Sequence, residues 1–440
     1  MSEASNPVVE GSLRERAARR LPSHTFSDLL VPVSSALDLA EGHAAGHAQR
    51  VTYIATSLGI ALGLDAPTQL ACNYAGLMHD IGVVPAGAGL GAYTRGDERM
   101  VFASLPLLSP EEAAVGASDS PEIVIERIVD HVIHGARTAR EFGLPAETIK
   151  GISAHHEHWD GTGYPHGLKG EDIPILGRII CLADHIESMI DQAGPLLGRR
   201  NLPLWLNQLS GIEADPNLVS VLRDLASGDQ FWLGLFSADL PGEISLGCSR
   251  LREPKGMRLL GFSESLSQLV DSRFSFTVGV SARVARYSEA LGRAVSLPDL
   301  RLKQLRIAAL LHDLGQVSVS ERIMAKPGIL SVEELEVLRN HPAYSRDVVA
   351  GIYGLEEVAD WVAAHHERMD GRGYPDGRAG NEIPFEARIL AVADAYVAMT
   401  SDRPHRPRAD DADAQQRLRG AAGSQLDGDL VEIFLRQVVS

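Results

Sequence analysis

The chain contains itself twice, and nothing else in the sequence constrains its fold as strongly. Residues 155–165 read HHEHWDGTGYP and residues 365–375 read HHERMDGRGYP, an offset of 210 that also links RIICLAD (178–184) to RILAVAD (388–394) and His131 to His341. Upstream, HDIG at 79 and HDLG at 312 are related by 233, as are Arg50-Val51 and Arg283-Val284. The 23-residue difference is extra chain in the first copy, between its HD pair and His131. Part of it lies before Leu108-Ser109-Pro110-Glu111-Glu112, which matches Leu330-Ser331-Val332-Glu333-Glu334, and the rest follows. The tails SGIEADPNLVSVLRDL and AAGSQLDGDLVEIFLRQV match loosely. The expected organisation is a polar, loosely ordered tail over 1–24, a first domain over 25–240, a linker over 241–254 carrying Gly, Pro and mixed charge, and a second domain over 255–440.

Most segments read as helix. In HAQRVTYIATSLGIALGL the apolar positions recur at helical spacing, and YSEALGRAV continues the matching pattern in the second copy. Ser109-Pro-Glu-Glu112 and Ser331-Val-Glu-Glu334 have the form of capping boxes. The DGxGYP stretches are loops, because two glycines and a proline do not continue a helix. No run of alternating strands with hairpin turns is present, so the expected fold is all-α: two tandem helical bundles.

Composition excludes several classes of function. Three cysteines are too few for a disulfide framework or a cysteine metal site. With 41 basic against 58 acidic residues the net charge is -17, the opposite of the balance that binds long nucleic acid or an anionic membrane. No apolar stretch approaches the ~18 residues of a membrane span, and the first thirty residues lack a signal-peptide core; the expected compartment is the cytoplasm.

The histidines carry the chemistry. The first copy places His47, His79, Asp80, His131, His155, His156 and Asp184 at positions belonging to the repeat. A lone helical histidine is ordinarily a surface or core residue, and an isolated HD pair means little. Seven donors in one order, six of them recurring in the second copy, are a different matter. Neighbouring helix residues point about 100° apart, so an HD or HH pair near a helix end serves two ions. Seven donors with a carboxylate able to bridge suit two metals about 3.5–4 Å apart. Asp184, inside the apolar run RIICLADHI, is costly to bury without such a partner. Imidazole and carboxylate without thiolate favour iron, manganese, zinc or nickel over calcium or copper(I).

These residues resemble the HD-GYP branch of the HD superfamily of metal-dependent phosphohydrolases, through HHExxDGxGYP followed by R-I-x-x-x-A-D, over most of the chain and twice. The resemblance implies a helical bundle around two or three metals, usually iron or manganese, and hydrolysis of cyclic di-GMP or a related cyclic dinucleotide. One metal would take His47, His79, Asp80 and Asp184; the other would take Asp80, His131, His155 and His156. Asp80 would bridge, together with a metal-held hydroxide that attacks phosphorus. Trinuclear relatives carry a glutamate four residues before the first histidine; here that position is His43, a candidate ligand for a third metal that reads more readily as solvent-facing. The GYP tyrosines, Tyr164 and Tyr374, would face substrate.

Both copies depart from the family pattern. The second retains His312, Asp313, His341, His365, His366 and Asp394, but Val280 replaces its first histidine, leaving a partial site for at most one ion. The family's phosphate-contacting lysine is Val83 in the first copy and Gln316 in the second. The family's basic pair survives only in the second copy, as Arg403 and Arg406, against Ala193 and Leu196 in the first. Arg95 or Arg99, in the extra chain, are candidates for replacement charge. The expected function is therefore a phosphodiesterase working from the first copy, weak on cyclic di-GMP. The alternatives are a non-catalytic nucleotide sensor or interaction protein with structural metals and, behind it, a di-iron oxygenase. A homodimer or an intramolecular pseudo-twofold pairing of the copies is the natural assembly.

Overall fold

The computed structural model describes residues 21–253, 258–404 and 406–439, and among these there is no β-strand. The all-helical expectation holds. Helices of the first copy recur in the second: His47–Ala61 as Val280–Ala294, Ala66–Met78 as Asp299–Leu311, Ala146–Ser153 as Glu356–Ala363, and Ile175–Ala193 as Phe385–Met399. Both capping boxes form. Ser109 Oγ accepts from Glu112 N while Ser109 N donates to the Glu112 carboxylate (2.9 Å), and Ser331 with Glu334 repeats the pattern.

The entry to the first ligand-bearing helix is fixed from outside that helix. Gly46 N and Ala48 N donate to the buried Asp38 carboxylate at 2.6 and 3.0 Å, satisfying amides that the first turn leaves free. In the second copy Asp271 takes the same place, accepting from Ser281 N and Ser281 Oγ. Two further motif residues, alike in both copies, hold the helices together. The arginine of R-I-x-x-x-A-D pairs with a carboxylate of the tail, Arg178 with Asp215 and Arg388 with Asp427, each at 2.8 Å.

The two copies pack reciprocally, as a pseudo-twofold axis requires. The first described helix, Phe26–Glu41, lies against Leu314–Ser318 and His341–Ala350 of the second copy; its counterpart Leu259–Asp271 lies against Val83–Ala86 of the first. One continuous apolar core runs through both. The extra chain of the first copy builds a smaller core of its own, in which Val101, Phe102 and Leu105 cover Val83, Val124 and Ile128.

Two boundary expectations are corrected. Residues of the expected linker form the helix Leu240–Arg250, whose Ile244 and Cys248 are buried against Phe26–Glu41 and His47–Ala61. Gly242 and Gly247 cost little there because burial of that apolar stripe outweighs propensity; residue 254 and residues 255–257 lie outside the described residues. The tail expectation covers residues 1–20, also outside them, but His24 is fully buried, its Nε2 2.9 Å from the Tyr353 carbonyl in the second copy.

Candidate metal centre

The seven first-copy donors come from three helices and from the turns that follow Ala66–Met78 and Ala146–Ser153, and they converge, all buried. Close backbone approach makes this possible at two glycines. A Cβ on Gly82 of HDIG would fall 1.8 Å from the His131 carbonyl oxygen, and one on Gly315 of HDLG 2.1 Å from that of His341. Glycine here lets the HD turn sit directly on the helix carrying His131. A Cβ on Gly163 would lie 2.3 Å from both His156 O and His158 N, so the GYP loop folds flat against the HH pair. Glu157 fixes that loop by accepting from His166 N and Leu168 N (2.8 and 2.7 Å), a structural task repeated by Glu367.

Imidazole orientation follows from local hydrogen bonds. His79 Nδ1 meets Gly76 O at 2.9 Å and His155 Nδ1 meets Ile152 O at 2.6 Å; His131 Nδ1 meets Ile128 O. Each Nδ1–H thus donates to the carbonyl three residues back, which leaves the Nε2 lone pair aimed inward. His47 is held instead by a carboxylate, its Nδ1 against Glu187, which in turn accepts from Arg50 Nε.

Asp80 joins the two halves. Its Oδ1 lies 3.3 Å from His131 Nε2 and 3.3 Å from His155 Nε2, while Oδ2 lies 2.7 Å from His79 Nε2. Asp184 Oδ1 stands 3.3 Å from His47 Nε2 and 3.9 Å from His79 Nε2. Two donor clusters share Asp80: one with His131, His155 and His156, the other with His47, His79 and Glu41. The Nε2 atoms of His47, His79, His131 and His155, and Asp184 Oδ1, have no hydrogen-bond partner although buried. Buried polar atoms are nearly always satisfied, so this convergence of lone pairs and carboxylates fits divalent cations.

The electrostatics point the same way. Burial opposes charge on His79, but the carboxylates of Asp80, Asp184 and Glu41 overrule it and lift the imidazole to about 10. Burial raises Asp80, yet His79, His131 and His155 hold it well below the usual range. Glu41 is pushed well up by burial and by repulsion from Asp80. His156 is pushed well down by burial and by its imidazole neighbours. Without a cation the cluster must borrow protons.

Glu41 is the donor that sequence reasoning missed. It lies six residues before His47 rather than four, carried inward at the C-terminus of Phe26–Glu41. His43 is not solvent-facing. Its ring stacks on His47 at 4.0 Å, its Nε2 is 3.4 Å from Glu41, and only 12% of the side chain is exposed. Glu187, also missed, has no signal beyond its helical spacing of three from Asp184.

The second copy assembles half a centre. His341 Nε2 and His365 Nε2 face Asp313 Oδ1 at 3.2 and 3.9 Å, and His312 Nε2 faces Oδ2 at 3.3 Å and Asp394 at 3.8 Å. The His366 ring lies tilted against Tyr374, with centroids 4.8 Å apart. At the positions of Glu41, His47 and Glu187, this copy carries Phe274, Val280 and Val397, all buried.

The first-copy cleft opens beside His156 and Tyr164 with a volume of about 890 Å³. Tyr164 stacks on His156 at 4.8 Å, and its buried hydroxyl has no partner. Leu105–Glu112, of which Leu105–Leu107 belong to the extra chain, line one wall, and Trp205, Gln192 and Ala193 line the other; no Lys or Arg is among the lining residues. Leu196 is 87% exposed, away from the cleft. Arg95 and Arg99 do not supply the charge. Arg95 pairs with Asp119, and Arg99 with Asp97 and the Ser318 carbonyl of the second copy. Val83 sits in the core built by the extra chain, so a lysine there would be buried. Arg403 and Arg406 do reach the second-copy cleft of about 660 Å³, with Tyr374, His341 and His366.

An all-helical duplicated bundle with HD pairs at its centre defines a class, and the family model for the HD domain matches residues 120–200 and 264–430: the chain belongs to the HD domain family. It is 30% identical over 411 residues to the 3'3'-cGAMP-specific phosphodiesterase 3 of Vibrio cholerae serotype O1, with 87% of each chain covered. It is 26% identical over 393 residues to the 3'3'-cGAMP-specific phosphodiesterase 1 of the same organism, covering 85% of this chain and 82% of that one. A cyclic di-GMP phosphodiesterase of Pseudomonas aeruginosa is 34% identical over 273 residues, 61% of this chain. The crystal structure of a cyclic GMP-AMP-specific phosphodiesterase of V. cholerae shares the fold, with a TM-score of 0.68 at 24% identity over 95% of this chain and 98% of that one.

Proposed function

We propose that the protein is a metal-dependent phosphodiesterase that hydrolyses a 3'3'-linked cyclic dinucleotide in its first copy, with 3'3'-cGAMP preferred over cyclic di-GMP. The observation that carries this reading is Asp80, whose two oxygens face separate groups of unpartnered imidazole nitrogens. The 3'3'-cGAMP preference is supported by two relatives of that specificity matched over more than four-fifths of both chains. These relatives favour phosphodiester hydrolysis over the sensor and oxygenase alternatives.

His47, His79, Asp80 and Asp184, with Glu41, would hold one cation, and Asp80, His131, His155 and His156 the other, iron or manganese by resemblance. Two such cations supply Lewis acidity and a water-derived nucleophile at neutral pH. The cleft volume falls within the ~300–1,000 Å³ usual for small-molecule sites. The Tyr164 hydroxyl, buried and unpartnered, is placed to donate to a phosphate oxygen. Trp205 offers a face for a purine. In the second copy, Arg403 and Arg406 beside half a centre favour nucleotide binding without turnover.

The test is turnover of 3'3'-cGAMP and cyclic di-GMP by metal-loaded protein, repeated with Asp80→Asn and Asp313→Asn. Turnover abolished by Asp80→Asn and kept by Asp313→Asn is expected. Inactivity at full metal occupancy, or activity that follows Asp313, overturns the reading.

A further inference from the structure

We propose that His158, His185 and Glu213 form an additional divalent-cation site in the wall of the first-copy cleft, separate from the centre around Asp80. One donor atom from each of the three lies within 4.8 Å of the others. His185 follows Asp184 on the helix Ile175–Ala193; successive side chains diverge by about 100°, so Asp184 enters the centre while His185 faces the cleft. Its Nε2 lies 2.5 Å from Glu213 Oε2, and its Nδ1 lies 3.2 Å from the Cys181 carbonyl. His158 Nδ1 meets Thr162 Oγ1 at 3.3 Å, which leaves its Nε2 for a ligand.

Backbone contacts build the cradle. Trp159 N donates to Glu213 O at 3.0 Å and Asp160 N to Ile212 O at 2.8 Å, locking the loop that bears His158 onto the loop that bears Glu213. The second copy provides an internal comparison. Met369 N and Asp370 N bond to Gln425 O and Ser424 O in the same way, but the three side-chain positions hold Arg368, Ala395 and Gln425. There Arg368 pairs with Asp370 instead. The cradle is common to both copies; the donors belong to the first alone.

Two imidazoles and one carboxylate leave coordination positions open, the pattern of an ion that also takes an exogenous ligand, and zinc is the cation this set suits best. All three residues line the cleft with His156 and Tyr164, and that lining holds no Lys or Arg. A cation here would face a substrate phosphate and stand in for the absent basic side chains. The cation site rests on geometry; its role toward phosphate rests on the phosphodiesterase reading above.

The experiment is zinc titration of chelator-stripped full-length protein, with bound metal counted by elemental analysis, for wild type, His158→Ala and Glu213→Gln. Both residues are partly exposed, so both variants should fold. Each should bind one zinc equivalent fewer than wild type, whereas Asp80→Asn loses centre ions and keeps this one. Wild-type zinc content in both variants overturns the site. With the centre filled, KM for 3'3'-cGAMP should rise about tenfold or more in His158→Ala with kcat nearly unchanged, the mark of lost ground-state binding. An unchanged KM overturns the role toward phosphate. A lost zinc equivalent in a protein that hydrolyses no cyclic dinucleotide upholds the site and refutes the proposed function instead.

Discussion

Glu98→Gln should weaken the protein more than any other single-charge change outside the centre. Glu98 lies in the extra chain of the first copy and Arg273 in the second, and both are fully buried. Glu98 Oε1 accepts from Arg273 Nη2 and from Glu321 N, each at 2.8 Å. Glutamine keeps the shape and one acceptor oxygen but removes the charge, so a guanidinium is left buried without its counterion. Burial already pulls Arg273 below its ordinary value despite Glu98. Breaking such a pair from one side costs about 3–5 kcal/mol, and the nearby Glu321 carboxylate places the expectation toward the lower end. The loss should appear as a lower urea midpoint. It should also raise KM, because the same extra chain supplies Leu105–Leu107 to the cleft wall. The double variant Glu98→Gln/Arg273→Met should be more stable than Glu98→Gln alone, since the unpaired charge is gone. A single variant within about 1 kcal/mol of wild type, or a double variant no better than the single, would refute the reasoning.

Asp80→Asn should lower the metal content of the first copy and reduce turnover by several powers of ten, whereas Asp313→Asn should change total metal little; elemental analysis with a turnover assay checks both. His79 stands at about 10 in the metal-free protein, above its unfolded value, so the stability it contributes is present below about pH 6.5 and is lost as pH rises toward 10. The same proton must leave for a cation to bind, so metal affinity should climb with pH between 7 and 10; a flat profile in metal titrations would count against the His79 assignment. Trp205→Ala should cost about 1–3 kcal/mol of nucleotide binding, read as KM, if a purine stacks there. Val280→His alone should not restore a second ion to the second copy, because Phe274 and Val397 still occupy the places of Glu41 and Glu187; elemental analysis showing a gained equivalent would contradict this.

The sequence made the centre legible because metal chemistry repeats residue types at fixed spacing, and duplication supplied its own alignment. The helices, both capping boxes and six of the seven donors could be placed from periodicity and offset, whereas His47, matched by Val280, rested on the family resemblance. What stayed hidden depends on chain geometry that spacing does not encode. Glu41 reaches the centre because Phe26–Glu41 ends there, and Glu187 because it lies one turn beyond Asp184. The linker misled because Gly and Pro were read as breakers, when Pro241 occupies the first turn of a helix, where a missing N–H is harmless. Arg95 and Arg99 misled because an insertion's charges were referred to the nearest active site, whereas Arg95 pairs with Asp119 of the same copy and Arg99 with Asp97 and the Ser318 carbonyl of the second copy.

The second copy differs from the first at matched positions of the centre. One half of its centre has been rebuilt as apolar core: where the first copy has Glu41, His47 and Glu187, the second has Phe274, Val280 and Val397, all buried and packed. Without His47, Glu187 would keep its bond from Arg50 Nε, whereas Glu41 would remain a buried carboxylate repelled by Asp80. The other half, around Asp313, kept its donors together with Arg403 and Arg406. Meanwhile the second copy grips the first copy's extra chain through Arg273, through Ser318, and through Glu321, which accepts from Gly89 N and Gly91 N at 2.9 and 2.8 Å. The copy with half a set of donors thus braces the extra chain that forms part of the other copy's cleft wall.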